Sequence, residues 1–526
     1  MATLKVPGTT PAKPVTISAR LDRLPPSDYL RGIVALISLG GWFEFYDLFV
    51  TGYVSLGFIK AGIFTATTRG LFDWTGFASF IASGFAGMFV GTLLFGGVSD
   101  RYGRKNAFLY SLYAHSIATF VMAFQSSPVA IDLWRFIAGL GIGVQLITSH
   151  AFISEITPKE SRGHYIAFSQ FISYCSVPVA AFAAYVLIPK TIFGLDGWRW
   201  LVMIGAMGAP IFLLVQSKLP ESPRWYAAHG RTEEAEVATV RMEEAARASL
   251  GRDLPPPEFG GDQALREGKW SEIWSRRYAP TTIMLVLFNI FQTVAVYGFA
   301  SWVPVLLTQQ GVPFVHSLEY TFWIAILNPF GPLIAMKYAD VLERKWQIVA
   351  LAIAIAVLGT TFAQMRNPLF IILLGSLITV ANNWFGSLFH TYQAELYPTR
   401  IRSKAVGFVY SWSRLSGIFV GFVIAALLKD FGTAGVFAFI AGSMAIVALA
   451  IGILGQRLPE HHSKFSPAEK RTEPALWKAW TERTARDLHR AKRVLLTYAE
   501  VRFPNIARSI CGSERMSKMS VRSREI

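Results

Sequence analysis

A displacement of 240 residues, the gap from Asp100 to Asp340, lays one half of this chain's charged and proline punctuation onto the other. Asp100, Arg104 and Lys105 fall on Asp340, Arg344 and Lys345; Glu155, Pro158 and Arg162 fall on Glu395, Pro398 and Arg402. Pro128 matches Pro368, and His150 matches His390. These positions flank long apolar runs, so they mark loops and helix ends. A duplicated unit of six membrane helices accounts for the pattern, and such internal repeats are how many carriers build alternating access.

Composition places that repeat in a bilayer. Of 526 residues, 52% are hydrophobic and 16% charged, against about 25% charged in a soluble domain. Spans of roughly 20 mostly apolar residues occur at 32–57, 72–97, 106–125, 129–154, 164–188, 198–217, 280–307, 318–338, 347–364, 368–393, 404–428 and 432–455. The expected fold is an all-α membrane protein, with twelve transmembrane helices in two pseudo-symmetric six-helix bundles. Its divisions are an N-terminal segment (1–31), a first bundle (32–218), a central loop (219–278), a second bundle (279–456) and a basic tail (457–526). The central loop holds a surface-helix pattern over 231–250 before the prolines at 255–257, and 474–501 has an amphipathic pattern.

The net charge of +16 is not a nucleic-acid signature here, because the basic residues lie in short loops and in the tail. One set of loops carries Arg101, Arg104, Lys105, Lys159, Arg162, Lys337, Arg344, Lys345, Arg400, Arg402 and Lys404. The other carries Lys60, Arg69, Lys190, Arg199, Arg366 and Lys429. The richer side is expected to be cytoplasmic, with both termini there, in the plasma (inner) membrane. Cys175 and Cys511 make no disulfide framework, and the first 30 residues lack the apolar core of a signal peptide.

The loop Gly96-Gly-Val-Ser-Asp100-Arg101-Tyr-Gly103-Arg104-Lys105 resembles the signature loop of the major facilitator superfamily. Leu219-Pro-Glu-Ser-Pro-Arg-Trp225 resembles a signature of its sugar-porter and metabolite–proton symporter branches. Glu155, Pro158 and Arg162, with Glu395-Leu-Tyr-Pro-Thr-Arg-Ile-Arg402, are similar to the family's paired motifs after the fourth and tenth helices. The resemblance covers roughly residues 30 to 458, with its motifs in the family's order and at the expected helix ends. The resemblance implies a cytoplasmic gate drawn from Gly96, Asp100, Arg101, Gly103, Arg104, Lys105, Glu155, Arg162, Asp340, Arg344, Glu395 and Arg402. The alternative is that these charges only anchor loops at the lipid headgroups. Val341 and Glu343 depart from the motif, which puts the second copy of the gate in question.

Charges inside a span usually have a partner or a task. The first span holds Glu44 and Asp47; the fourth opens Trp134-Arg135. In proton-coupled sugar porters an aspartate and an arginine stand at these places, so the resemblance implies proton coupling through Asp47 and Arg135. A permanent ion pair is the alternative. Glu44 shares a helix face with Asp47 and is open to three readings: proton site, substrate group or solvated side chain.

Polar groups placed for substrate recognition are Gln145, Gln170, Asn289, Gln292, Asn382, Asn383 and Arg414, though amides also join helices. Gln170 matches a sugar-contacting glutamine of the sugar porters. The seventh span lacks their paired glutamines, and its end, Tyr297 to Pro304, is closer to organic-acid symporters. Arg414 suits a carboxylate or a pair with Glu44. His115, His150 and His390 fit helix-to-helix hydrogen bonding better than titration.

The expected function is secondary active transport, with proton-coupled import of a small organic acid or sugar-like metabolite. The alternatives are an uncoupled facilitator, an exporter or antiporter of the same fold, and a solute sensor. The expected partners are a small-molecule substrate, protons and the lipid bilayer; no nucleic acid, no cofactor and no metal are called for, and the working unit is a monomer. No phosphate-binding loop or Ser-His-Asp set points to an enzyme.

Overall fold

The computed structural model describes residues 16–456, apart from 26, 66, 74–75, 96, 160, 252, 258–268 and 339–342. Gly96, Asp340 and the segment 457–526, with its amphipathic pattern at 474–501, therefore lie outside the described residues.

Helix dominates. A short α1 (Ile17–Asp22) precedes α2 (Asp28–Lys60), the first pass, whose first turn is capped by the Ser27 side chain. The second pass is α3 (Gly76–Phe95); a single turn, α4 (Val98–Tyr102), leads to the third, α5 (Arg104–Met122). The fourth is α6 (Pro128–Ile156), with proline in the first turn, where its missing N–H costs nothing. The fifth is α7 (Arg162–Tyr174) with α8 (Ser176–Leu187), and the sixth is α9 (Gly197–Gly205) with α10 (Gly208–Val215). Between them sits a hairpin of β1 (Thr191–Ile192) and β2 (Leu195–Asp196).

The central loop contains α11 (Pro223–Ala228) and α12 (Thr232–Leu250), the latter where the sequence predicts a surface helix. The seventh pass is α13 (Ala279–Ala300), followed by α14 (Val303–Gln309). The eighth is α15 (Phe314–Ala325) with α16 (Phe330–Tyr338), and then come α17 (Arg344–Gln364), α18 (Pro368–Glu395) and α19 (Thr399–Leu454). The last contains both final passes, which turn at Gly432 (φ 64°).

Nine of the described helices are long and apolar enough to cross a membrane. The last of them holds two passes. With α5 and the broken pair α15–α16, which hydropathy and length alone leave out, the total is twelve.

Two predicted spans are corrected. The seventh does not run unbroken to 307; it ends at Ala300, where Pro304 starts a new helix. The eighth is interrupted between Ala325 and Phe330, because Pro332 denies its amide to the turn before it.

The faces are distinguished by charge. At the basic face, Arg104 binds Glu155 at 2.6 Å and Asp100, while Glu221 accepts the backbone N–H groups of Arg104 (2.9 Å) and Lys105 (3.1 Å). Burial pushes the Glu221 carboxyl upward, against the pull of those N–H donors. Gly103 makes this possible. Its φ of 99° is open to glycine, and a side chain there would occupy the space of the Glu221 carboxylate.

Also at this face, Arg20 and Arg23 of the α1 end grip Glu243 of α12 at 2.8 and 2.7 Å. Burial opposes the Glu243 charge, but the two guanidiniums outweigh it and hold the carboxyl below its usual range. The contribution of a depressed carboxyl is present above its unfolded pKa of about 4.3 and is lost as pH falls through the lower folded value. Glu243→Gln should therefore loosen α1 at neutral pH by roughly 1–3 kcal/mol, read as faster amide exchange over 17–22. Wild-type protein should show that exchange only on acidification below about pH 4.

Candidate functional site

The first half holds a buried charged cluster. On α2, Asp47 is 3% exposed; on α6, Arg135 is likewise 3% exposed, and the two form a direct ion pair. Arg135 also donates to Thr51 Oγ1, one turn beyond Asp47, and lies 5.1 Å from the Phe80 ring centroid of α3. His115 of α5 brings Nε2 to 3.7 Å from Asp47, too far for a hydrogen bond, and neither ring nitrogen has another partner. Three residues from Arg135, Asp132 is fully buried and accepts from Ser79 of α3 and from the Leu71 N–H. The sequence reading missed His115 as a neighbour of Asp47, and it missed Asp132 altogether; only the packing of α3, α5 and α6 brings them here.

The second cluster spans both halves. Arg414 of α19 is 4% exposed and donates to the hydroxyls of Tyr297 (α13, 3.2 Å) and Tyr410 (3.0 Å). Glu44 of α2 is 3% exposed, with no hydrogen bond or ion pair among the described residues, yet Arg414 lies close enough to act on its charge. Among the described residues Arg414 makes no ion pair with Glu44; its amino groups go to the two tyrosines. Tyr174 of α7 faces both of those phenols, and Phe45 stands edge-on to it at 4.9 Å.

Nearer the basic face, the repeat-related His150 (α6) and His390 (α18) face one another across the halves. His150 bonds Gln170 at 3.0 Å, and the His390 ring stands 5.3 Å from that of Tyr410. His390 is exposed although it sits between the halves, whereas Glu44 and Arg414 are not.

At the opposite face the halves touch. A side chain at Gly52 (α2) would meet backbone atoms of Ala300 and Ser301 at 2.9 Å; Phe77 (α3) meets Trp302 edge to face at 5.7 Å, and Phe182 (α8) meets Phe322 (α15) at 5.5 Å.

The remaining polar candidates separate into groups. Gln145 is fully buried with neither amide atom bonded. Asn289 donates to Leu285 O of its own helix, and Gln292 to Thr293. Asn383 is spent on Asn328 O and Oδ1, tying α18 to the break in the eighth pass. With Asn382 it lines a cavity of about 40 Å³ beside Phe49 and Tyr53, room for a few waters but not for an organic acid.

Among the residues that the resemblance assigns to a gate, Arg104 joins Asp100 and Glu155, and Arg344 joins Glu395, so the second copy keeps an ion pair despite Glu343. Arg162 lies near the charges of Glu155, Arg224 and Arg402, and Arg402 donates to Tyr397 O. The Arg101 side chain lies outside this network, over the Tyr102 ring, and Lys105 enters it through its backbone N–H alone. Glu221, which binds that N–H, is a participant the sequence did not assign to the gate.

Residues 33–460 match the family model described as "Sugar (and other) transporter". This chain belongs to that family. A putative metabolite transport protein of Bacillus subtilis, YyaJ, is 30% identical over 83% of this transporter and 94% of its own length. The niacin transporter NiaP of Acinetobacter baylyi is 27% identical over 83% of this chain and 96% of its own. The partially occluded, inward-open structure of the xylose transporter XylE from E. coli superimposes with a TM-score of 0.64, at 20% identity, covering 82% of this chain and 99% of that one. The protein is accordingly a multi-pass membrane transporter of the major facilitator superfamily, not an enzyme, and its substrate is a small molecule.

Proposed function

We propose that this transporter imports a small organic acid together with protons, by alternating access of two six-helix bundles, 32–218 and 279–456, around one central chamber. The basic face and both termini are cytoplasmic, the membrane is the plasma (inner) membrane, and the working unit is a monomer. The observation that carries the reading is the buried Asp47–Arg135 pair, held within one bundle on two separate helices. A carboxylate so placed is charged while the guanidinium is close and takes a proton when the two separate. Rocking of the bundles, which changes helix packing, is thereby tied to proton uptake on one side and release on the other.

The preference for an acid over a neutral sugar rests on Arg414, a buried cation bonded to phenols and facing the chamber. An anion lowers the cost of burying it. The relative named as a niacin transporter agrees, since niacin is a carboxylic acid. Asn383 ties two passes together; Gln145, Gln170, Asn289, Gln292 and Asn382 remain for substrate polar groups. The cytoplasmic charge network around Arg104 and Glu155 closes the chamber in the other state.

Reconstituted protein tests this directly. Liposomes with an inward proton gradient of about one pH unit should accumulate labelled nicotinate or benzoate about tenfold for each coupled proton, and a protonophore should collapse the accumulation. Uptake that only equilibrates, and is indifferent to the protonophore, would assign the protein to uncoupled facilitation.

A further inference from the structure

His115 is a buried base that this structure leaves without a bond. It is 0% exposed on α5, and neither ring nitrogen has a hydrogen-bond partner among the described residues. A neutral imidazole carries one N–H, and a buried donor with no acceptor is costly; a leucine there would avoid that cost. The sequence leads to a helix-to-helix hydrogen bond at this residue, and the ring makes none. What it approaches is Asp47 Oδ2, 3.7 Å from Nε2, an oxygen already taken by Arg135 Nη1. The approach is fixed by packing: a side chain at Gly141 of α6 would lie 2.9 Å from His115 Cβ, so α5 and α6 are in close contact here. Resting on the proton-coupled reading above, in which Asp47 and Arg135 part during the cycle, we propose that His115 is the replacement for Arg135. Once the guanidinium withdraws, His115 Nε2 closes on Asp47, and the two side chains hold the coupled proton as one site.

The physical reason is that each state leaves one group wanting. While Arg135 is bound, the carboxylate has its donor and the imidazole has no acceptor. With Arg135 gone, no other side chain among the described residues bonds the Asp47 carboxylate, and a movement of about 1 Å brings the ring within hydrogen-bond distance. The bond gained offsets part of the cost of breaking the ion pair, which brings the two states closer in energy. One proton from water enters as Arg135 leaves. It forms an O–H bond on Asp47, or an N–H bond at His115 Nδ1 while Nε2–H donates to the carboxylate. Both arrangements carry the same charge, so the proton belongs to the pair. It returns to water when Arg135 displaces the ring.

The other charged and titratable groups on the helices around α5 are engaged elsewhere. On α6, Asp132 accepts from Ser79 and the Leu71 N–H, while His150 and Glu155 lie toward the basic face on Gln170 and Arg104. On α2, the Tyr46 hydroxyl donates to Leu201 O, and Glu44 stands toward Arg414 of the other bundle. Arg199 of α9 donates to Ala123 O and Gln125 O, α10 has no such group, and Asp100 of α4 is bound to Arg104.

The test has two parts, both with the full-length chain. The first is the change in melting temperature caused by His115→Leu in three backgrounds: wild type, Arg135→Met, which stands for the separated state, and Arg135→Met/Asp47→Leu. The loss should be about 2–4 °C in Arg135→Met, where the ring bonds Asp47, and within about 1 °C in the other two. The second is the rate of labelled nicotinate uptake by liposomes between about pH 5 and 8. His115→Gln keeps a donor for Asp47 and removes the basic nitrogen, so the pH at which uptake falls to half should move about one unit toward acid, a tenfold change in proton affinity. An equal cost of His115→Leu with and without Arg135, or a half-point unmoved in His115→Gln, overturns the partnership and leaves proton coupling standing. Wild-type uptake indifferent to pH and to a protonophore overturns the coupling beneath it, while the melting series still reports whether the two side chains bond.

Discussion

Asp47→Asn is expected to abolish accumulation against a gradient while leaving substrate exchange intact. The substitution keeps the shape of the side chain and removes its charge and its ability to titrate. In liposomes, a gradient of about one pH unit supports roughly tenfold accumulation per coupled proton in the wild type; each proton lost from the cycle removes that factor. Counterflow of labelled against unlabelled nicotinate does not require net proton movement, so it should continue. It also reports that the variant is folded, which matters because Arg135 is left with only Thr51 and the Phe80 ring. Stranding a buried cation costs about 3–5 kcal/mol, so a lower melting temperature is expected as well. The double variant Asp47→Asn/Arg135→Gln should recover that stability without recovering accumulation, because the pair is neutralised but nothing titrates. Accumulation at the wild-type level in Asp47→Asn would remove Asp47 from the coupling mechanism whatever its effect on stability.

How far could a reader of the chain alone have gone? The twelve passes follow from apolar runs, because a bilayer demands about 20 residues of them, and the repeat supplies the pairing of halves. Asp47 and Arg135 are visible because a charge within a span is costly enough to need a reason. Hydropathy does not see the breaks at 301–302 and 326–329, where Pro304 and Pro332 act through the missing amide and not through polarity. It is equally blind to partnerships made by packing. Glu221 reaches the start of α5 from 117 residues away, and nothing near either residue announces it. His115 stands in an apolar stretch of α5, and its approach to Asp47 depends on how α5 lies along α2 and α6. Arg414 was legible as a residue of interest, yet its setting was not. The choice among substrate, Glu44 and the two tyrosines is a matter of distances across two bundles.

Gly52→Trp should stop transport by preventing the opposite face from closing. In the structure the first and seventh passes meet there with no room for a side chain, since even a methyl group at Gly52 would lie 2.9 Å from the backbone of Ala300 and Ser301. Backbone atoms at the end of a helix cannot rotate away as a side-chain tip can, so the clash is relieved only by parting the bundles. Overpacking of this kind costs about 3 kcal/mol or more, which depletes the closed arrangement by roughly a hundredfold. Flux should fall in proportion. The chamber would then be held open to the opposite face, with Phe77 and Trp302 drawn apart, and a cysteine introduced at Val296 should react with a membrane-impermeant maleimide added from that side, having been shielded in the wild type. Gly52→Ala should give an intermediate loss, because its smaller clash relaxes with a smaller movement. Binding is a separate matter from passage: Glu44, Arg414 and the tyrosines lie deeper than Gly52, so benzoate should still raise the melting temperature of Gly52→Trp. Wild-type flux in that variant would mean that the bundles do not need this contact to complete the cycle, and that the two-state rocking inferred from it is wrong.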